Sequence, residues 1–189
     1  MYIRIAVALA LMAIMGCTQT RSTDSLEIYD EQTGNTLSVV RAPLVFARDR
    51  TDVAAHARDY VTLVAVEVDH SGEYSEYLLV YRWSTVDRRM SAPPDPQAGQ
   101  LEILTDGRAI NLTAVEELPI SVSRPELHVP KHAHAVTHAY RIDVATLRYI
   151  ARSRELTVLL PQEVLATPFK IWSDGRTALG QFVKRAATP

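Results

Sequence analysis

The stretch that decides the fold is "RDYVTLVAVEVD", Arg58 to Asp69. Written as an extended chain, it puts Tyr60, Thr62, Val64, Val66 and Val68 on one face, while Val61, Leu63 and Ala65 begin the other. Side chains alternate along a strand, so apolar residues on both parities predict a strand covered on both faces. "HSGEYS" then turns the chain, and "EYLLVYRWS", Glu76 to Ser84, sets Tyr77, Leu79, Tyr81 and Trp83 on one face. The two runs predict a long antiparallel hairpin at the centre of a sheet.

Shorter signals lie on either side. Leu26 to Asp30 reads as a strand, "QTGNT" as a turn, and "LSVVRAPLVFARD" as an edge strand or as two strands divided at Pro43. Proline has no N–H to give to a ladder, which is why the run cannot be one central strand. "RRMSAPPDPQAGQ" reads as a proline-rich loop. "LEILTDGRAINLTAV" reads as a second hairpin turned at Asp106-Gly107, because a tight hairpin turn needs positive φ. "PISVSRPELHV" can hold a further short strand. The last third changes to strand, helix, strand, and then the same plan again. Asp143 and Asp174 are candidate helix caps, with apolar stripes at Val144, Leu147 and Ile150 and at Leu179, Phe182 and Val183. The total predicts a β-rich α+β domain, an antiparallel sheet or sandwich with two short C-terminal amphipathic helices.

The amino terminus has a different purpose. Met1 to Arg4 carry one positive charge, and Ile5 to Met15 are uninterrupted apolar residues. That run is short of the roughly 20 residues needed to span a membrane and has the layout of a secretory signal peptide. Ile14-Met15-Gly16-Cys17 resembles the lipobox of bacterial lipoprotein precursors. The resemblance implies cleavage before Cys17, a diacylglycerol on its thiol, and acylation of the new amine. Thr18, a non-aspartate, implies the outer membrane, with the domain facing the periplasm. Each buried acyl methylene adds roughly 0.8 kcal/mol to such an anchor. The expected organisation is residues 1–16 as signal peptide, 17–25 as lipidated tether and 26–189 as one β-rich domain. Cys17 is the only cysteine, so the domain is held by its core and not by an internal disulfide.

Composition narrows the function further. The chain has 20 Lys and Arg against 22 Asp and Glu, a net charge of −2. There is no basic excess to point to nucleic acid. No glycine-rich phosphate loop and no Gly-x-Ser-x-Gly elbow is present, and no catalytic residue is assigned. Four of the six histidines, His128, His132, His134 and His138, fall in "ELHVPKHAHAVTHAY". If this segment is extended they share one parity, a set able to take zinc or copper. The other reading is a polar loop with Lys131 among its histidines, and no cofactor. Glu67, Asp69, His70, Glu73 and Glu76 gather near the main hairpin turn, where solvated charge is common. Tyr74 and Tyr77 are candidate anchors for a partner. The expectation is a membrane-anchored envelope lipoprotein, a non-enzymatic binding or assembly module that meets another envelope protein. The alternative is a periplasmic ligand- or metal-binding module built on the His128–His138 segment. A hydrolase of envelope polymers would need a cleft with paired carboxylates, which the sequence does not place.

Overall fold

The computed structural model describes residues 25–86, 100–117, 135–160 and 167–186. They form ten strands and two helices. The strands are β1 (Ser25–Asp30), β2 (Asn35–Val40), β3 (Leu44–Asp49), β4 (Arg58–His70), β5 (Glu73–Ser84), β6 (Gln100–Thr105), β7 (Arg108–Thr113), β8 (Val136–Arg141), β9 (Leu156–Leu159) and β10 (Phe169–Ser173). The helices are α1 (Val144–Arg152), between β8 and β9, and α2 (Arg176–Ala186), after β10. All pairings are antiparallel, and the fold is the expected β-rich α+β sheet with two C-terminal helices.

β4 is the centre, as its two apolar faces require. Along one edge it pairs with β5 from Asp59↔Ser84 to His70↔Glu73. Its other edge is shared. β2 takes Val66 to Asp69, and β3 takes Arg58 to Leu63. Pro43 stands between those two strands, so the "LSVVRAPLVFARD" run is two strands, not one. From β3 the sheet continues through β10, β9 and β6 to β7, and from β5 it continues to β8. The sheet curls but does not close. Two of its terminal strands, β7 and β8, meet at an isolated bridge, Ala114 with Tyr140, and at one further hydrogen bond from the Val115 N–H to the Ala139 carbonyl.

Val64, Val66, Leu79 and Tyr81 are buried on one face of β4 and β5, and the larger part of the core lies on the concave face. Phe46, Val61, Leu63, Leu78, Leu101, Ile103, Val158, Phe169 and Tyr140 are all buried there, together with Leu147, Ile150, Leu179, Phe182 and Val183 of the helices. Asp143 caps α1 by accepting the Thr146 N–H at 2.7 Å, as its position in the sequence predicts. The two tight turns, Ser71-Gly72 and Asp106-Gly107, have positive φ at both residues. That is the conformation that matches the twist of the flanking strands.

The helices cover one end of the sheet. α2 enters beside the β2–β3 connection, and its approach depends on Gly175. A Cβ there would land on the carbonyl oxygens of Ala42 and Pro43. Gly180, in mid-helix, meets only the Ala151 Cβ at 4.0 Å. Gly175→Ala should therefore cost about 1–3 kcal/mol, the usual effect of overpacking. Gly180→Ala should be neutral or stabilising by up to about 1 kcal/mol through helix propensity. Urea unfolding of the two variants tests this. Equal midpoints would show that the crossing at Gly175 is not tight.

Candidate functional site

At the end opposite the helices, β3 and β4 repeat a triplet. Ala47-Arg48-Asp49 and Ala57-Arg58-Asp59 meet in antiparallel register, so Arg48 faces Asp59 and Asp49 faces Arg58. One ion pair lies on each side of the sheet. On the concave side the Asp59 carboxylate, 1% exposed, accepts from Arg48 Nη2 at 2.8 Å and from Arg50 Nη1 at 3.0 Å. Arg48 also lies over the Phe169 ring at 4.3 Å and donates to the Thr167 carbonyl. Burial alone would raise the Asp59 pKa. The hydrogen bonds from Arg48 and Arg50 outweigh it and hold the group below 3.8. On the convex side Arg58 pairs with Asp49 at 2.8 Å, in solvent.

Above that exposed pair lies an aromatic platform. Tyr60 and Trp83 are directly opposite on β4 and β5, and their rings stack at 4.1 Å and 9°. Trp172 of β10 meets Tyr60 edge-on at 6.0 Å and carries the Arg58 guanidinium at 4.6 Å from its ring centre. The register of β10 against β3 shifts between Ile171 and Ser173. Trp172 is the extra residue of that bulge, and bulges re-aim side chains. It ends 56% exposed, the largest side chain so placed among the described residues. Sequence reading set Trp83 on one face with Tyr77, Leu79 and Tyr81 and did not bring Trp172 to it.

The candidate site residues named from the sequence separate. Tyr74 is 60% exposed near the β4–β5 turn, opposite Asp69, whereas Tyr77 lies opposite Val66 on the other face of the hairpin and packs partly buried against the core. They do not form one surface. Glu67 and Glu76 face each other, and Arg185 of α2 reaches Glu67 at 3.7 Å, Glu27 at 3.6 Å and the Ser38 hydroxyl at 2.8 Å. Burial raises the Glu67 pKa and Arg185 opposes the rise, with Glu76 and Asp69 adding to it. The arrangement ties the end of α2 to the sheet.

Of the four histidines, His138 alone is described. It faces Val80 across β8 and β5, near the Tyr140 ring. Its Nε2 is buried and makes no hydrogen bond, and burial, then the Arg82 charge, hold its pKa below 6.5. His128, His132, His134 and Cys17 lie outside the described residues. Among the described residues no group of three metal-ligating side chains occurs, and no helix is long and apolar enough to cross a membrane. No protein-family model, curated protein or solved structure matches the chain.

Asp59 supplies a pH prediction. A carboxylate whose folded pKa is depressed stabilises fully above its unfolded value, near 3.8, and that stabilisation is lost as pH falls through the folded pKa. Asp59→Ala, which removes the carboxylate from a buried guanidinium, should cost about 3–5 kcal/mol at pH 7. The gap to the parent protein should narrow as pH falls below about 4. Chemical denaturation at pH 7 and pH 3 measures both, and an unchanged gap would show that Asp59 is not the titrating group.

Proposed function

We propose that the protein is a membrane-anchored envelope lipoprotein that acts as a non-enzymatic binding and assembly module, with another envelope protein as its partner. The lipobox resemblance at Cys17 supports the anchor. β1 begins at Ser25, so the tether between lipid and sheet is short. At up to about 3.6 Å per residue it spans no more than roughly 29 Å, which keeps the domain beside the bilayer.

The observation that carries the binding role is the platform of Trp172, Tyr60 and Trp83 with Arg58 beside it. Tryptophan, tyrosine and arginine are the side chains that dominate interface energetics when a partner desolvates them. A rigid stack with one exposed tryptophan presents area that is already ordered, so binding loses little side-chain entropy. The proposed docking surface is therefore this platform, and not the Tyr74 and Tyr77 pair.

A second reading has one observation in its favour. The buried Nε2 of His138 makes no hydrogen bond, and "KHAHAVT" runs directly into the strand that carries it. In this reading the segment from His128 to His138 holds zinc or copper. Zinc titration of the mature protein and of a His132→Ala/His134→Ala variant decides it. No binding tighter than micromolar removes the reading.

The leading proposal is tested in cells with the tagged, lipidated protein, by cross-linking and mass spectrometry against an unrelated lipoprotein of equal abundance. Trp172→Ala should cost about 2 kcal/mol or more of binding and remove the dominant envelope partner, without loss of folded protein. Cys17→Ala should move the protein from the membrane to the soluble fraction. The same partner recovered at full yield with Trp172→Ala would remove the platform from the interface.

A further inference from the structure

β7 has a full ladder on one edge only, to β6. Its other edge starts as a ladder and then loses its partner. Ala114 bridges to Tyr140 and the Val115 N–H donates to the Ala139 carbonyl at 2.8 Å. β8 then ends at Arg141, and the chain turns through the Asp143 cap into α1. From Arg108 to Thr113 no strand occupies that edge among the described residues. In antiparallel pairing alternate residues aim both N–H and C=O at one neighbour, and the rest aim both the other way. The outward groups of β7 therefore face a groove of about 420 Å³. Arg108 to Asn111 form one wall, and Ala145, Thr146 and Tyr149 of α1 form the other.

Two features say what fits the groove. The first is the backbone edge. Sheets commonly guard an open edge with lysine, proline, inward charge or a bulge. β1, another terminal strand, carries Glu27 and Asp30. β7 has no charge, proline or register shift from Ala109 to Thr113. A row of unpaired amides and carbonyls beside a groove is satisfied by another extended backbone. The second is charge. Among the described residues Arg108 is the only charged one lining the groove, and its guanidinium lies over the Tyr149 ring at 5.6 Å.

We propose that the groove between β7 and α1 takes an extended segment of a partner protein as an added strand, with an acidic side chain of that segment on Arg108. The inference rests on the binding-module reading and names a second contact for it, on a surface distinct from the Trp172 platform. The added strand continues the line that β8 leaves when it becomes α1.

The test is hydrogen exchange on the full lipidated chain in detergent micelles, with the synthetic peptide acetyl-Thr-Val-Glu-Val-Thr-Val-amide as probe. At saturation the outward amides of residues 108–113 should exchange at least tenfold more slowly. Arg108→Glu should raise the half-saturating peptide concentration about tenfold with an unchanged melting temperature. Of two peptides N-methylated at odd or at even positions, one should lose the protection and the other should keep it, because only one edge of an added strand faces β7. Unchanged exchange with the plain peptide overturns the proposal, as does equal behaviour of the two methylated peptides. Outward amides already protected without peptide overturn it as well, concentration-dependent protection meaning that a second copy fills the groove. Trp172→Ala should leave peptide protection intact. Loss of the cellular partner in that variant with no peptide protection would sink the added strand alone. Peptide protection with a partner indifferent to Trp172 would sink the platform alone.

Discussion

The carboxylate of Asp59 fastens the place where the sheet is assembled. It sits buried between Arg48 and Arg50, and through Arg48 it reaches Phe169 and Thr167 at the start of β10. One side chain thus links β4, β3, the turn after β3 and β10. A one-residue slip of β3 on β4 would bring Arg48 out to solvent and turn Phe46 away from the core, because strand side chains alternate. The buried pair fixes register more than it adds stability, since removing two charges from water offsets much of their attraction. The exposed partner pair, Asp49 with Arg58, lies on the other side of the same two strands and keeps Arg58 in position above Trp172.

Much of the fold is legible locally. The double-faced apolar run of β4, the Asp106-Gly107 turn, the break at Pro43 and the Asp143 cap each follow from the physics of a few neighbouring residues. The order β3–β10–β9–β6 does not, because a ladder between residues far apart in the chain leaves no local period to read. The platform shares that difficulty. Tyr60 and Trp83 can be paired from the hairpin, but Trp172 joins them only through β10, and a bulge sets its direction. Two signals were present all the same. Ala-Arg-Asp occurs twice, at 47–49 and 57–59, and an antiparallel pairing of the two copies matches each arginine to an aspartate. Tyr74 and Tyr77 are three residues apart, an odd number, so a regular strand points them to opposite faces.

The two ends of the domain differ in kind. The helices, the two tight turns and the Arg185 contacts occupy one end, where connections are short. At the other end lie Arg50, the last residue of β5, the first residues of β6, β8 and β10, and the buried Asp59. His138 faces the core near that end, on the strand that follows the histidine-rich stretch. The two proposed contact surfaces also differ in place. The platform crosses β5, β4 and β10, and the open edge belongs to β7.

The position of β10 also sets the order in which the chain becomes whole. Among the described residues it is the only strand joining β3 to β9, and it is the last of the ten strands in chain order. Without Phe169 to Ser173 the sheet is two pieces, β1, β2, β4, β3, β5 and β8 on one side and β9, β6 and β7 on the other, touching only at the Ala114–Tyr140 bridge and the Val115–Ala139 hydrogen bond. Each piece then presents a bare edge that later lies in the interior of the sheet. A ribosome delivers residues from the amino end. The sheet therefore cannot be completed before β10 is made, and long-range ladders of this kind form slowly. Two adhesive edges stay bare during synthesis until β10 pairs with both.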